Sequence, residues 1–203
     1  MLVIGLTGSI GTGKSEAARY LAQLGAEVID ADQVGHEAYT PQSEAWHNVV
    51  GAFGKEILDS NGEVDRKKLG AIVFSNQDQL SRLNQIMHPL MARMVAEEIE
   101  DLRGQGVEVA VVEAALLFEA GWDSLVGEVW VTDSSEDLVI QRLSERNGLT
   151  KEEARKRISS QMDRSERLSR ADLVIDNSGD IAAMESTIDE MWERRVKGRN
   201  ERK

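Results

Sequence analysis

Gly8-Ser9-Ile10-Gly11-Thr12-Gly13-Lys14-Ser15 stands between the apolar run Leu2-Val3-Ile4 and a stretch in which Ala17, Leu21 and Leu24 recur at helical spacing. Strand, glycine-rich turn and helix are the setting in which G-x-x-x-x-G-K-[ST] makes a phosphate-binding loop. The glycines let the backbone curl until several N–H groups face one anion. The helix that opens there adds the positive end of its dipole. Lys14 then reaches the β- and γ-phosphates, and the Ser15 hydroxyl is placed to ligate Mg²⁺. A turn that merely capped a helix would account for Gly8 and Gly13 but not for Lys14-Ser15.

Working outward, 203 residues suit one domain, or one domain with an insertion, and 41% hydrophobic residues suffice for a core. The absence of cysteine removes disulfides, Cys-ligated zinc and thiol catalysis. No apolar run approaches the roughly 20 residues of a membrane span. Met1-Leu2-Val3 runs straight into the first strand without a leader-like segment, so a cytoplasmic protein without membrane attachment is expected. A net charge of -12 argues against a nucleic-acid binder. A polyphosphate ligand would need local positive charge, from Lys14, Arg66-Lys67-Lys68 or the arginines between Arg142 and Arg170.

The first helix should stop at Gly25, and Glu27-Val28-Ile29-Asp30 reads as a second strand leading into Ala31-Asp32. In α/β sheets ligands sit outside the carboxyl ends of strands, which puts Asp30 and Asp32 at the rim where the loop opens. An extended backbone through Asp32 would turn both carboxylates to one face; alternatively, one of them caps the next helix. Between Pro41 and Arg103 the pattern is helical, with a turn at Asp59-Ser60-Asn61-Gly62 and Pro89 expected to kink or interrupt a long run. That stretch is long for a crossover and reads as an insertion carrying the second substrate. Val107–Val112 is a buried strand that runs into Glu113, and Val126–Thr132 is a fourth. A helix near Glu136–Arg146 shows Arg142 and Arg146 on one face. Thr150-Lys151-Glu152-Glu153 is a capping box opening a charged helical lid that runs to Arg170. Ala171–Asp176 is the fifth strand, followed by a helix from Ile181 and a basic tail, Arg194–Lys203, expected to be a frayed end.

Five strands separated by helices predict a parallel, doubly wound α/β fold. On it the loop fits a kinase, a GTPase or a motor-type ATPase. The N-K-x-D guanine motif is missing, and the strand after the insertion lacks a clean apolar run ending in Asp-Glu. A short phosphate-loop kinase remains the best fit. Phosphoryl transfer needs alignment, charge neutralisation and exclusion of water. Lys14 and Mg²⁺ on Ser15 would supply charge, Arg142 (with Arg146 beside it) would clamp the donor, and Asp32 is the best-placed base. A kinase for another small hydroxylated metabolite, or a nucleotide-binding regulatory module, stays open on these residues.

Over nearly its whole length the chain resembles the dephospho-coenzyme A kinase family. The likeness is carried by Ile4–Ser15, Val28-Ile29-Asp30-Ala31-Asp32, Asp65–Gly70, Ile72-Val73-Phe74, Leu83–Leu90, Leu116-Leu117-Phe118-Glu119, Arg157–Gln161 and Ala171–Asn177. It implies a P-loop kinase fold with a five-stranded parallel sheet flanked by helices. The nucleotide-binding core would comprise residues 1–40, 104–135 and 168–203, the helical acceptor-binding insertion 41–103, and the lid 136–167. It implies ATP-dependent phosphorylation of the ribose 3′-hydroxyl of dephospho-coenzyme A, the last step of coenzyme A synthesis. Gly11, Thr12, Gly13, Lys14, Ser15 and Glu16 would hold ATP, Ser15 would bind Mg²⁺, Asp32 would be the base and Arg142 a phosphate contact. His88 either contacts substrate or caps the kinked helix before Pro89. The chain departs from the family pattern at Ala115, where proline is common and whose loss could loosen the turn there. It departs again at Glu16, where threonine is usual; the Glu16 side chain is expected to turn away from the loop.

Overall fold

The computed structural model describes residues 1–198. Its elements in chain order are β1 (Leu2–Gly8), α1 (Lys14–Gln23), β2 (Glu27–Asp30), α2 (Ala31–Ala38), α3 (Glu44–Phe53), α4 (Arg66–Val73) and α5 (Gln77–Gly104). There follow β3 (Val109–Glu113), β4 (Glu128–Asp133), α6 (Glu136–Asn147), α7 (Lys151–Ser159), α8 (Arg164–Ser169), β5 (Leu173–Asp176) and α9 (Ile181–Trp192). The strands form one parallel sheet in the order β2-β3-β1-β4-β5. β1 and β3 are buried along their whole length, which explains why both read as continuous apolar runs instead of alternating ones.

Register places the site. Leu2 to Leu6 pair with Val109 to Glu113, and Ile4 to Gly8 pair with Glu128 to Thr132. The carboxyl ends of β3 and β4 therefore flank the carboxyl end of β1, where the glycine-rich loop begins. Ala17, Ala18 and Leu21 of α1 and Met184, Ile188 and Met191 of α9 pack with Leu2, Ile4, Leu6, Val109, Val111 and Trp130. A separate cluster of Val139, Ile140, Leu143 and Ala154 joins α6 to α7.

The chain forms two compact units, one of Met1–Ile29 with Ile99 onward, the other Asp30–Glu98. The second is built on Ala45, Val49 and Phe53 of α3, Ile57 in the stretch after it, Leu69 and Val73 of α4, and Met87 and Leu90 of α5. Ser43 caps α3 and Asp65 caps α4. Asp59 closes the expected turn by accepting the Asn61 and Glu63 N–H groups, beside a single antiparallel bridge between Leu58 and Val64.

Pro89 does not interrupt its helix, since α5 runs through it for 28 residues. The ring removes one N–H bond, but Pro89 is exposed and so is Gln85, whose carbonyl water can satisfy, while Met87 and Leu90 stay buried in the core. His88 consequently lies inside a helix and not at its end. The expected single helix from Thr150 to Arg170 is two, because Asp163 starts α8 afresh by accepting the Ser165 and Glu166 N–H groups. The expected capping box at Thr150 and Glu153 is present. The basic tail is not frayed through Lys197: Glu193–Lys197 continues α9 as a π-helical turn with Val196 buried. Its last residues, 199–203, lie outside the described part.

Leu21 is fully buried between α1 and the sheet. Leu21→Ala is expected to cost about 2–5 kcal/mol, read as a lower midpoint in urea unfolding.

Candidate nucleotide site

α2, α3, α4, α7, α8 and α9 each begin on a side chain that accepts their first N–H groups. α1 and α6 do not; the N-cap of α1 is Gly13, with φ +94° and no side chain at all to cap with. The leading N–H groups of α1 are thus left by the protein for another acceptor, and a helix N-terminus in that state suits an anion. Gly11, at φ +78°, provides the other left-handed turn of the loop. A Cβ on Gly8 would stand 2.1 Å from Thr132 Oγ1, and one on Gly13 would stand 2.0 Å from Asn177 Nδ2, so both positions exclude side chains. Glu16 pairs with Arg19 along α1, and its carboxylate is engaged there.

Lys14 Nζ lies 2.5 Å from Glu113 Oε1, and the Ser15 hydroxyl donates to the same oxygen at 2.7 Å. Glu113 is nearly buried at the last position of β3. Reasoning from the sequence passed over it, because it sought a pair of acids after that strand. The available signal was a single acid closing the run Val109–Val112, which parallel register must bring beside β1. Among the described residues no group of three or more His, Cys, Asp or Glu side chains is gathered for a metal. The Ser15 hydroxyl and the Glu113 carboxylate are nonetheless hard oxygen donors of the kind that would suit Mg²⁺.

The loop is braced from outside. Arg142 donates to Ser134 Oγ at 3.1 Å, to the Asn177 carbonyl at 2.9 Å and to the Gly11 carbonyl at 3.5 Å. Asn177 Nδ2 donates to the Thr12 carbonyl at 2.9 Å. The Thr12 hydroxyl donates to the Ser9 carbonyl and meets Thr132 Oγ1, each at 2.8 Å. Gln161 Oε1 accepts from both Ser9 Oγ and Ile10 N, again at 2.8 Å. Of the arginines singled out, Arg142 reaches the loop and Arg146 is exposed. Asn177 and Gln161 were not singled out; nothing in local spacing marks an amide as a loop brace.

The extended backbone that would turn Asp30 and Asp32 to one face is not formed, and the alternative of a helix cap holds for Asp30. The strand ends at Asp30 and α2 starts at once, with the Asp30 carboxylate accepting the N–H groups of Asp32 and Gln33. Asp30 is a helix cap. Asp32 belongs to the Asp30–Glu98 unit and is exposed on the first turn of α2.

The family profile described as dephospho-CoA kinase matches residues 2–183. The chain belongs to the dephospho-CoA kinase family. Relatives in that family include the dephospho-CoA kinase of Geobacter sulfurreducens, 43% identical over 195 residues, covering 96% of this chain and 99% of that one. The Corynebacterium diphtheriae dephospho-CoA kinase is 42% identical, with 96% and 97% covered. Among solved structures, the dephospho-CoA kinase from Campylobacter jejuni superposes with a TM-score of 0.74 at 29% identity, covering 97% of this chain and 98% of that one. A shikimate kinase from Acinetobacter baumannii, at 14% identity and a TM-score of 0.58 over 98% and 94% of the two chains, shares the fold alone. Family membership accounts for the full-length resemblance, and it includes Leu116–Glu119. There Leu117 and Phe118 are buried, and Ala120, Gly121 and Trp122 donate back to the Leu116, Phe118 and Leu117 carbonyls. The turn after Ala115 is therefore hydrogen-bonded despite the missing proline.

Gly13→Ala should force a side chain into the left-handed region and onto Asn177. The expected outcome is at least a tenfold loss of ATP affinity, measured by calorimetric titration, with destabilisation of about 1–3 kcal/mol.

Proposed function

We propose that the protein transfers the γ-phosphoryl group of ATP to the ribose 3′-hydroxyl of dephospho-coenzyme A, giving coenzyme A and ADP. The observation that carries this reading is the convergence of Lys14 and Ser15 on Glu113 at an uncapped helix start, within a chain that matches its family nearly end to end. In the transfer the hydroxyl oxygen bonds to the γ-phosphorus, the bond to the β-phosphate oxygen breaks with its electrons on ADP, and the hydroxyl proton leaves to a base. Asp32 is assigned as that base. Its neighbour Asp30 is engaged as a cap, whereas Asp32 is displayed to solvent from a helix start fixed by that cap.

Gly11, Thr12, Gly13, Lys14, Ser15 and Glu16 are assigned to the donor phosphates, through backbone N–H groups and the Lys14 ammonium. When ATP enters, Lys14 is expected to exchange part of its contact with Glu113 for phosphate. Ser15 and Glu113 would hold Mg²⁺, which supplies charge neutralisation on the phosphates when bound. Arg142, already fixed beside Gly11, lends positive charge to the loop from residues 136–167, which we assign as a lid closing over the donor. Residues 41–103 are assigned to the acceptor. The acceptor is a small molecule and not a nucleic acid, in keeping with the net charge of -12. No helix among the described residues is long and apolar enough to cross a membrane; a cytoplasmic site of action is part of the same reading.

Purified protein should release ADP only when ATP, Mg²⁺ and dephospho-coenzyme A are all present, and chelation of the metal should abolish turnover. Shikimate, gluconate or a nucleoside in place of that acceptor should give background rates; acceptor-independent hydrolysis would count against the assignment. Asp32→Asn is expected to lower kcat by at least roughly 10²-fold with the fold intact by circular dichroism.

A further inference from the structure

We propose that Gln161 is a positioning residue for the nucleotide, holding the Ser9–Ile10 arm of the loop in place from the linker between α7 and α8. The inference rests on the reading of Gly8–Ser15 as a nucleotide loop, and on nothing about the acceptor. One carbonyl oxygen, Gln161 Oε1, takes hydrogen bonds from two successive loop residues, the Ser9 hydroxyl and the Ile10 N–H. An amide oxygen has two lone pairs, so both bonds can be good at once. Together they fix where the arm lies and which way the Ile10 peptide faces. The Ile10 N–H is turned to the protein and the Thr12 N–H to the Ser9 carbonyl, which leaves the Gly11 N–H and those from Gly13 into the start of α1 for an anion.

The linker that carries Gln161 is itself held. The Met162 N–H donates to Glu119 Oε1 at 3.1 Å, and Arg167 Nη2 donates to the Met162 carbonyl at 2.9 Å. Arg167 is 3% exposed; burial pushes its pKa down, opposed by the charges of Glu119, Asp133 and Asp163. Asp163 next in sequence caps α8. Gln161 therefore projects from a fixed backbone, and ordering its side chain costs little further entropy. Two of the loop's other braces each act on a single carbonyl, Arg142 at Gly11 and Asn177 at Thr12. Gln161 alone among these three accepts a loop N–H.

The test compares wild type with Gln161→Met, which keeps length but has no oxygen acceptor. ATP and ADP affinities are measured by calorimetric titration without acceptor, and exchange of the Ile10 amide is followed by NMR. Gln161→Met should bind both nucleotides about tenfold more weakly, the scale of losing one or two hydrogen bonds. Its Ile10 amide should exchange faster, and the KM for dephospho-coenzyme A should stay within twofold. Gln161→Glu, which keeps an acceptor oxygen, should retain slow exchange at Ile10 and serves as the readout if the methionine variant melts early. In a Ser9→Ala background the Gln161→Met penalty should shrink, since part of the contact is already gone. Nucleotide affinity within twofold of wild type, tighter binding, an undiminished penalty beside Ser9→Ala, or fast Ile10 exchange in Gln161→Glu would each overturn the proposal. Wild-type protein that binds ATP but shows no acceptor-dependent turnover would sink the kinase reading alone.

Discussion

Lys14 and Ser15 are neighbours in the chain, and both end on one oxygen of Glu113. That oxygen can be shared only if β3 lies beside β1 in a register that brings Glu113 opposite Leu6. A slip of one residue in the strand would turn the carboxylate to the other face of the sheet. Both faces of β1 and β3 are buried, and the close fit of side chains of unequal size on the two faces opposes the slip. The core thus does more than stabilise the sheet. It sets where a charge stands relative to a loop whose own sequence does not contain that charge.

How much of this could be read beforehand follows from the range of the forces involved. The loop, α1, the capping box at Thr150 and the turn at Asp59 are local, decided by residues within a few positions of one another, and the sequence shows them directly. The parallel sheet was legible because buried strands leave continuous apolar runs. Pro89 misled because a single proline was weighed against an isolated helix, whereas the native helix has Met87 and Leu90 packed on either side of it. The split at Asp163 was missed because a cap inside a charged stretch looks like one more charge. Asp30 and Asp32 would face one way only if the strand ran on through Asp32; α2 starts at Ala31, and of the two alternatives the sequence leaves open the structure takes the one in which Asp30 caps that helix.

The contacts that shape the candidate site were the least legible. Glu113, Gln161 and Asn177 meet the loop from positions 98 or more residues away. No periodicity records such a meeting. What the sequence offers instead is circumstance: an acid ending an apolar strand, an amide in a linker, an asparagine just past the fifth strand. Each is ambiguous until the fold brings it to the loop.

Asn177 carries a consequence of a different kind. Its side chain reaches Thr12 across 165 positions, and its carbonyl receives Ser134 and Arg142. During synthesis the loop leaves the ribosome first, while this partner emerges near the end of the described chain. Contacts of such long separation close late, after the entropy of the intervening chain has been overcome. The loop must then wait, incompletely shaped, until the fifth strand docks. The shape of the loop's Thr12 end is then settled only once the segment after the fifth strand has joined it.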